Sequence, residues 1–254
     1  MLRTRVIPTL LLQDGGLVKT INFAKPKYVG DPINAVRIFN EKEVDELILL
    51  DITASREGRE PDYDLINDIV SEAFMPIGYG GGVRTVLQAQ RLVSLGLEKI
   101  SFNSTALDSW TVISETSARL GSSSTMVSID VNMDWRGRYR LYDARKKKNL
   151  KRDLMVHIVE AVAAGAGELF INDVSRDGTR KGYNIDLVAK ICSAVDIPVI
   201  VCGGAGTLMD FKIAADAQAA GVSAGSMFVY MGKHQAVMIN YPSQIQLKGI
   251  FENE

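Results

Sequence analysis

The chain repeats itself once. With Glu46 set against Glu168, ELILLDITASREG (46–58) reads against ELFINDVSRDG (168–178), an offset of about 122 residues. The match continues at Gly80-Gly81-Gly82 against Gly203-Gly204-Ala205-Gly206, and at Phe102-Asn103-Ser104-Thr105 against Ala224-Gly225-Ser226-Met227. A period this long excludes a solenoid and asks for two large units built to one plan. Short runs rich in Val, Ile and Leu recur at 5–12, 46–51, 75–79, 99–103, 125–130, 168–172, 198–202 and 222–226. Their near-continuous apolar character is that of parallel strands buried on both faces. Amphipathic segments at 65–73, 86–95, 154–164, 185–194 and 209–220 lie between them. Eight β-then-α units in 254 residues fit the length of a (β/α)8 or TIM barrel. No Pro/Gly/Ser-rich linker divides the chain, so one α/β domain is expected over 1–254, with half barrels at about 1–122 and 123–240.

In such a barrel the active site lies at the C-terminal rim of the strands, often with a phosphate on the loops after the last two. The repeated residues all fall there. Gly203 and Gly204 let the backbone approach an anion closely because glycine has no Cβ, while Gly225 and Ser226 add amides and a hydroxyl. Gly81, Gly82, Asn103 and Ser104 repeat that set in the other half. One glycine cluster is as well explained by a tight turn; two in matching places favour phosphate binding. A ligand phosphorylated at both ends would then span the rim.

Other classes are disfavoured. A net charge of −1 and a pI of about 6.2 lack the basic excess of a nucleic-acid binder. The apolar stretch 6–12, interrupted by Thr9, is far short of a membrane span. The first five residues lead straight into a strand-like run with no signal-like apolar core, and Cys192 and Cys202 give no framework of bridges. A reduced cytoplasmic protein is expected. His157 and His234 are too few and too far apart for a zinc site and read as surface or helix-edge residues, so neither a metal nor a cofactor is expected. The run Arg145-Lys146-Lys147-Lys148 reads as a solvated loop, and Trp110 and Trp135 as packing or hairpin residues. The segment 241–254 carries no readable signal.

Asp14-Gly15, Lys19, Gly30-Asp31-Pro32, Asp45-Glu46-Leu47, Leu50-Asp51-Ile52-Thr53-Ala54-Ser55, Gly80-Gly81-Gly82, Ser128-Ile129-Asp130, Arg176-Asp177-Gly178-Thr179 and Gly203-Gly204-Ala205-Gly206 resemble the cyclase subunit of imidazole glycerol phosphate synthase. The resemblance spans roughly residues 3 to 230. It implies a heterodimer with a glutaminase docked on the N-terminal face. In that family ammonia crosses the barrel and attacks a doubly phosphorylated ribulosyl intermediate of histidine synthesis. It places Asp177 and Gly178 with the phosphate-binding residues. It also implies a four-charge gate on the floor, for which Arg5, Glu46, Lys99 and Glu168 stand on the first, second, fourth and sixth strands. A purely structural ring closing the floor is the alternative.

The match fails at the catalytic pair. The family uses one Asp at the end of the first strand and one at the end of the fifth as general acid and base. Asp130 fits the second; the first is Leu11, which cannot move a proton. The stretch from Thr9 to Thr20 looks like a divergent branch tied to surface-polysaccharide synthesis, where ammonia serves a separate sugar amidotransferase. Three functions stand open: a conduit serving that amidation, an active cyclase of histidine synthesis, or a non-enzymatic scaffold that stimulates its glutaminase.

Overall fold

The computed structural model describes residues 3–232 and 234–251. The chain opens with β1 (Arg5–Gln13), β2 (Gly16–Ile21), β3 (Ala24–Gly30) and α1 (Pro32–Glu41). There follow β4 (Leu47–Asp51), α2 (Ala54–Glu57), α3 (Tyr63–Ser71), β5 (Ile77–Gly80), α4 (Val86–Ser94), β6 (Lys99–Phe102), α5 (Ser104–Asp108) and α6 (Thr111–Leu120). The second half holds β7 (Thr125–Met133), β8 (Tyr139–Asp143), β9 (Lys148–Asn149), α7 (Leu154–Ala163), β10 (Glu168–Asp173), α8 (Ile185–Cys192), β11 (Val199–Cys202), α9 (Leu208–Asp216) and β12 (Gly221–Ala224). It ends with α10 (Ser226–Val229), the ribbon β13 (Tyr230–Met231) and β14 (Ala236–Val237), and α11 (Gln244–Phe251).

Eight of these strands form a closed parallel barrel in the order β1-β4-β5-β6-β7-β10-β11-β12, with β12 returning to β1 at Arg5↔Gly221. This is the expected (β/α)8 barrel. Alternation along each strand divides two cores. Ile7, Ile48, Met126, Phe170, Ile200 and Cys202 fill the interior, while Val6, Leu47, Leu49, Val127 and Leu169 face the helices. Both sets are nearly inaccessible to water, which is why the strands read as continuous apolar runs.

Matching local devices recur in the two halves. Thr85 with Gln88 and Thr207 with Asp210 each form a capping box at the start of α4 and α9. Asp51 Oδ1 accepts from Thr53 N and Ala54 N at 2.9 Å, and Asp173 Oδ1 accepts from Ser175 N at 3.0 Å. Gly81 and Gly203 stand at φ 131° and 94°; a Cβ there would lie 2.6 and 2.5 Å from the carbonyl oxygens of Asp51 and Asp173. Both glycines are thus required by close backbone packing as well as by handedness.

Two readings are corrected, and the tail is placed. His157 is buried, not at a surface: its ring lies 4.8 Å from that of Trp110, and burial, aided by the Arg152 charge, lowers its pKa to about 4. Arg145 is not a free loop residue, since it pairs with Asp108 and Asp143 while Lys146, Lys147 and Lys148 stay exposed. The described part of 241–254 packs on the barrel: Leu247 is buried, and Tyr241 OH donates to the Val6 carbonyl at 2.9 Å. Trp110 packs, whereas Trp135 is exposed at the turn between β7 and β8.

Candidate functional site

The floor of the barrel is an ion network. Arg5 on β1 donates to both Glu46, just before β4, and Glu168 on β10. Lys99 on β6 reaches the same two carboxylates, with Nζ 2.9 Å from Glu46 Oε1 and 2.7 Å from Glu168 Oε2. Each cation thus bridges both anions across the axis. Burial opposes the Arg5 charge, but Glu168 and then Glu46 outweigh it and raise the guanidinium pKa. Both carboxylates are almost wholly enclosed, and such charges are tolerable only when fully partnered.

Above this ring the interior is apolar, then weakly polar. Ile7, Ile48, Met126, Phe170 and Ile200 form the first layer. Gly78 contributes no side chain; a Cβ there would sit 3.6 Å from the Lys99 Cβ and from Ile48. Two hydroxyl pairs follow, Thr9 with Ser223 and Ser101 with Ser128.

At the rim a cavity of about 310 Å³ is lined by Leu11, Asp51, Gly80, Gly81, Gly82, Asn103, Ser104, Ser128, Asp130 and Asn172, with Lys25, Arg56, Tyr142, Arg145 and Lys147 on its walls. Asp130, at the β7 end of the rim, is buried, and its Oδ2 accepts from Asn103 Nδ2 at 2.9 Å. Burial raises its pKa to about 7; the Asn103 bond works against the shift, and the charges of Asp177 and Asp143 add to it. This carboxyl is poised to give or take a proton near neutrality. Leu11, on β1, offers it no second carboxylate.

The anticipated phosphate residues fall in two groups. Gly81, Gly82, Asn103 and Ser104 border the cavity; Asp177, Gly178, Gly203, Gly204, Gly225 and Ser226 do not. The β2–β3 hairpin packs on Asp177 and Gly178 of that second group. Thr20 Oγ1 and Phe23 N donate to Asp177 Oδ2 at 2.8 and 3.3 Å, and Asn22 N donates to the Asp177 carbonyl at 3.0 Å. Lys19 is buried beneath, its Nζ 2.5 Å from the Thr9 carbonyl; burial lowers its pKa to about 8 against the pull of Asp177. The aromatic and cationic wall of Phe23, Lys25 and Tyr142 was not anticipated, because it comes from connecting hairpins rather than from the repeat.

Comparison with known proteins places this barrel in a class. Residues 5–235 match the family described as "Histidine biosynthesis protein", and the chain belongs to that family. It is 49% identical to the "Putative imidazole glycerol phosphate synthase subunit hisF2" of Pseudomonas aeruginosa, over 95% of this chain and 97% of that protein. It is 46% identical to the "Putative imidazole glycerol phosphate synthase subunit HisF" of Leptospira interrogans, over 99% of this chain and 100% of that protein. Identity to the "Imidazole glycerol phosphate synthase subunit HisF" of Streptococcus mutans is 35%, over 91% and 92%. The chain is therefore a homologue of that synthase's barrel subunit. No helix among the described residues is long and apolar enough to cross a membrane.

Proposed function

We propose that this barrel receives ammonia from a glutaminase subunit bound at its N-terminal face, in a heterodimer, and conducts it to the rim for a separate amidating enzyme. The floor carries the reading: Arg5 and Lys99 hold Glu46 and Glu168 across the axis, directly beneath an apolar interior. A closed ion ring keeps water and ions out, and a shift of the single ammonium at Lys99 opens space for a neutral molecule as small as ammonia. Beside Lys99, Gly78 leaves the interior clear, and the Ser101–Ser128 pair leads on toward Asp130. Ammonia, unlike ammonium, crosses such an apolar layer without a heavy desolvation penalty.

The rim has a ligand site of its own. Gly81, Gly82, Asn103 and Ser104 would seat a small phosphorylated ligand, with Asp130 as the one proton-transferring group. Ring closure of the histidine pathway asks for two carboxylates facing each other, and losing one acid–base partner forfeits about 10²–10⁴ in rate. Leu11 therefore favours the amidation branch, with a surface-polysaccharide sugar as the final acceptor, over histidine synthesis. The names hisF2 and hisF3 carried by relatives at 49% and 45% identity agree with a second copy of the subunit put to another use.

The test is ammonia delivery in the purified heterodimer. Lys99→Ala should uncouple the subunits: glutamine hydrolysis continues, while nitrogen transfer from glutamine to the acceptor falls at least tenfold and external ammonium restores it. Unchanged coupling would remove the gate role and leave the ring a purely structural closure.

A further inference from the structure

We infer that two exposed side chains on the floor, Phe74 and Ile245, choose which glutaminase this barrel accepts. On the reading that a glutaminase covers the ion ring, these are the apolar anchors that it must pocket. A glutaminase without the pockets is held off.

Large apolar side chains left in water beside a functional feature mark a contact surface. Among the described residues, the turns leading into the eight barrel strands carry one such side chain: Phe74, before β5, 90% exposed. Ile245, on the first turn of α11, is 83% exposed. Neither adds to the core, and both stand beside the ring. The Pro76 carbonyl accepts from Leu47 N at 2.9 Å, so the Phe74 turn flanks Glu46. Tyr241 donates to the Val6 carbonyl and Gln244 accepts from Arg3, so the approach to α11 flanks Arg5.

Both side chains are also held in place. Asn40 clamps the turn from two sides: its Oδ1 accepts from Phe74 N at 2.9 Å, and its Nδ2 donates to the Glu72 carbonyl at 2.5 Å. Gln244 is clamped likewise, with Oε1 2.9 Å from Arg3 Nη1 and Nε2 3.0 Å from the Glu43 carbonyl. Ser243 and Gln246 cap the start of α11 reciprocally. The two clamps share one turn, since Glu43 N donates to the Asn40 carbonyl at 3.0 Å. Phe74 and Ile245 are thus two fixed points on one hydrogen-bonded frame. Anchors ordered before contact lose little entropy on binding.

Choice of partner follows from what each anchor meets. In a matching pocket a fixed aromatic or aliphatic side chain carries much of the binding energy. Against a polar surface it strips water from groups that it cannot pair, and its bulk keeps the partner off the ring. The family match ends at residue 235, so Ile245 lies outside the part of the chain that defines the family. A relative at 46% identity aligns over 99% of this chain and so takes in α11.

The test is the calorimetric affinity of the full chain for two glutaminases: its own partner, and the glutaminase subunit of the Streptococcus mutans synthase. Phe74→Ala and Ile245→Ala are compared with the wild type and with Trp135→Ala, a truncation of similar exposure at the rim. The wild type should bind its own partner at least tenfold more tightly. Each floor truncation should weaken that binding roughly tenfold and leave the second glutaminase within threefold. Trp135→Ala should stay within twofold. Melting temperatures should not move, and nitrogen transfer by Phe74→Ala at saturating glutaminase should match the wild type, because the ring is intact. Unchanged affinity in both floor variants, equal weakening toward both glutaminases, or no preference in the wild type would overturn the inference and leave docking standing. Failure of either glutaminase to bind would overturn it together with the docking reading. Unchanged coupling in Lys99→Ala would remove the gate role alone.

Discussion

Asp130 shows how much one side chain's surroundings decide. Buried at the β7 end of the rim with a single amide donor from Asn103, it holds its proton up to about pH 7. In the unfolded chain the same carboxyl ionises near pH 4. Below pH 4 both states are protonated and the residue is neutral in its effect. From pH 4 to 7 the unfolded state sheds its proton while the folded state keeps it, so stability falls with rising pH; above 7 the loss is complete. Asp130→Asn removes this dependence and still accepts from Asn103. Its melting temperature should equal that of the wild type near pH 4 and exceed it at pH 8, by the equivalent of up to about 4 kcal/mol. A gap that does not change with pH would mean that Asp130 is already ionised in the fold. Asp130 was singled out in the sequence by the family resemblance at Ser128-Ile129-Asp130. Its raised pKa was not legible there, because burial depends on what other strands set around it. His157 makes the converse case: its helical spacing with Leu154, Ile158 and Ala161 marks the buried face of α7, and packing there on Trp110 overrides the usual exposure of a histidine.

Among the elements, the β2–β3 hairpin is the one docked by long-range contacts at the rim. Its start is legible: Asp14 and Gly15 both take positive φ in a two-residue turn that fits Gln13 to Gly16. Its second strand is not. AKPKYVG, at Ala24–Gly30, is exposed along most of its length and shows no alternation to read. The contacts that dock it join Thr20 to Asp177, 157 residues away, a separation that no local pattern encodes. Asp177→Ala should release the hairpin without unfolding the barrel. Amide exchange across residues 17–30 should then speed up by roughly tenfold or more, since two side-chain bonds of about 1 kcal/mol each are lost. Exchange there that matches the wild type would show that the hairpin is held by other contacts.

At the scale of the molecule, the barrel was legible because a long internal repeat and eight apolar runs leave few alternatives, and strand limits follow the expectation to within two or three residues. The floor ring was legible only through family resemblance. Arg5, Glu46, Lys99 and Glu168 are scattered across the chain, and closure of the barrel brings them into contact. On the proposed reading, the floor and the rim separate passage of ammonia from ring closure: the ring of Arg5, Glu46, Lys99 and Glu168 would serve the first, and Leu11 stands where the family resemblance expects a carboxylate for the second. The most direct test is the amount of imidazole glycerol phosphate formed per glutamine hydrolysed by the purified heterodimer given the doubly phosphorylated ribulosyl substrate. The account predicts steady glutamine hydrolysis with almost no ring closure. A ratio near one would contradict it.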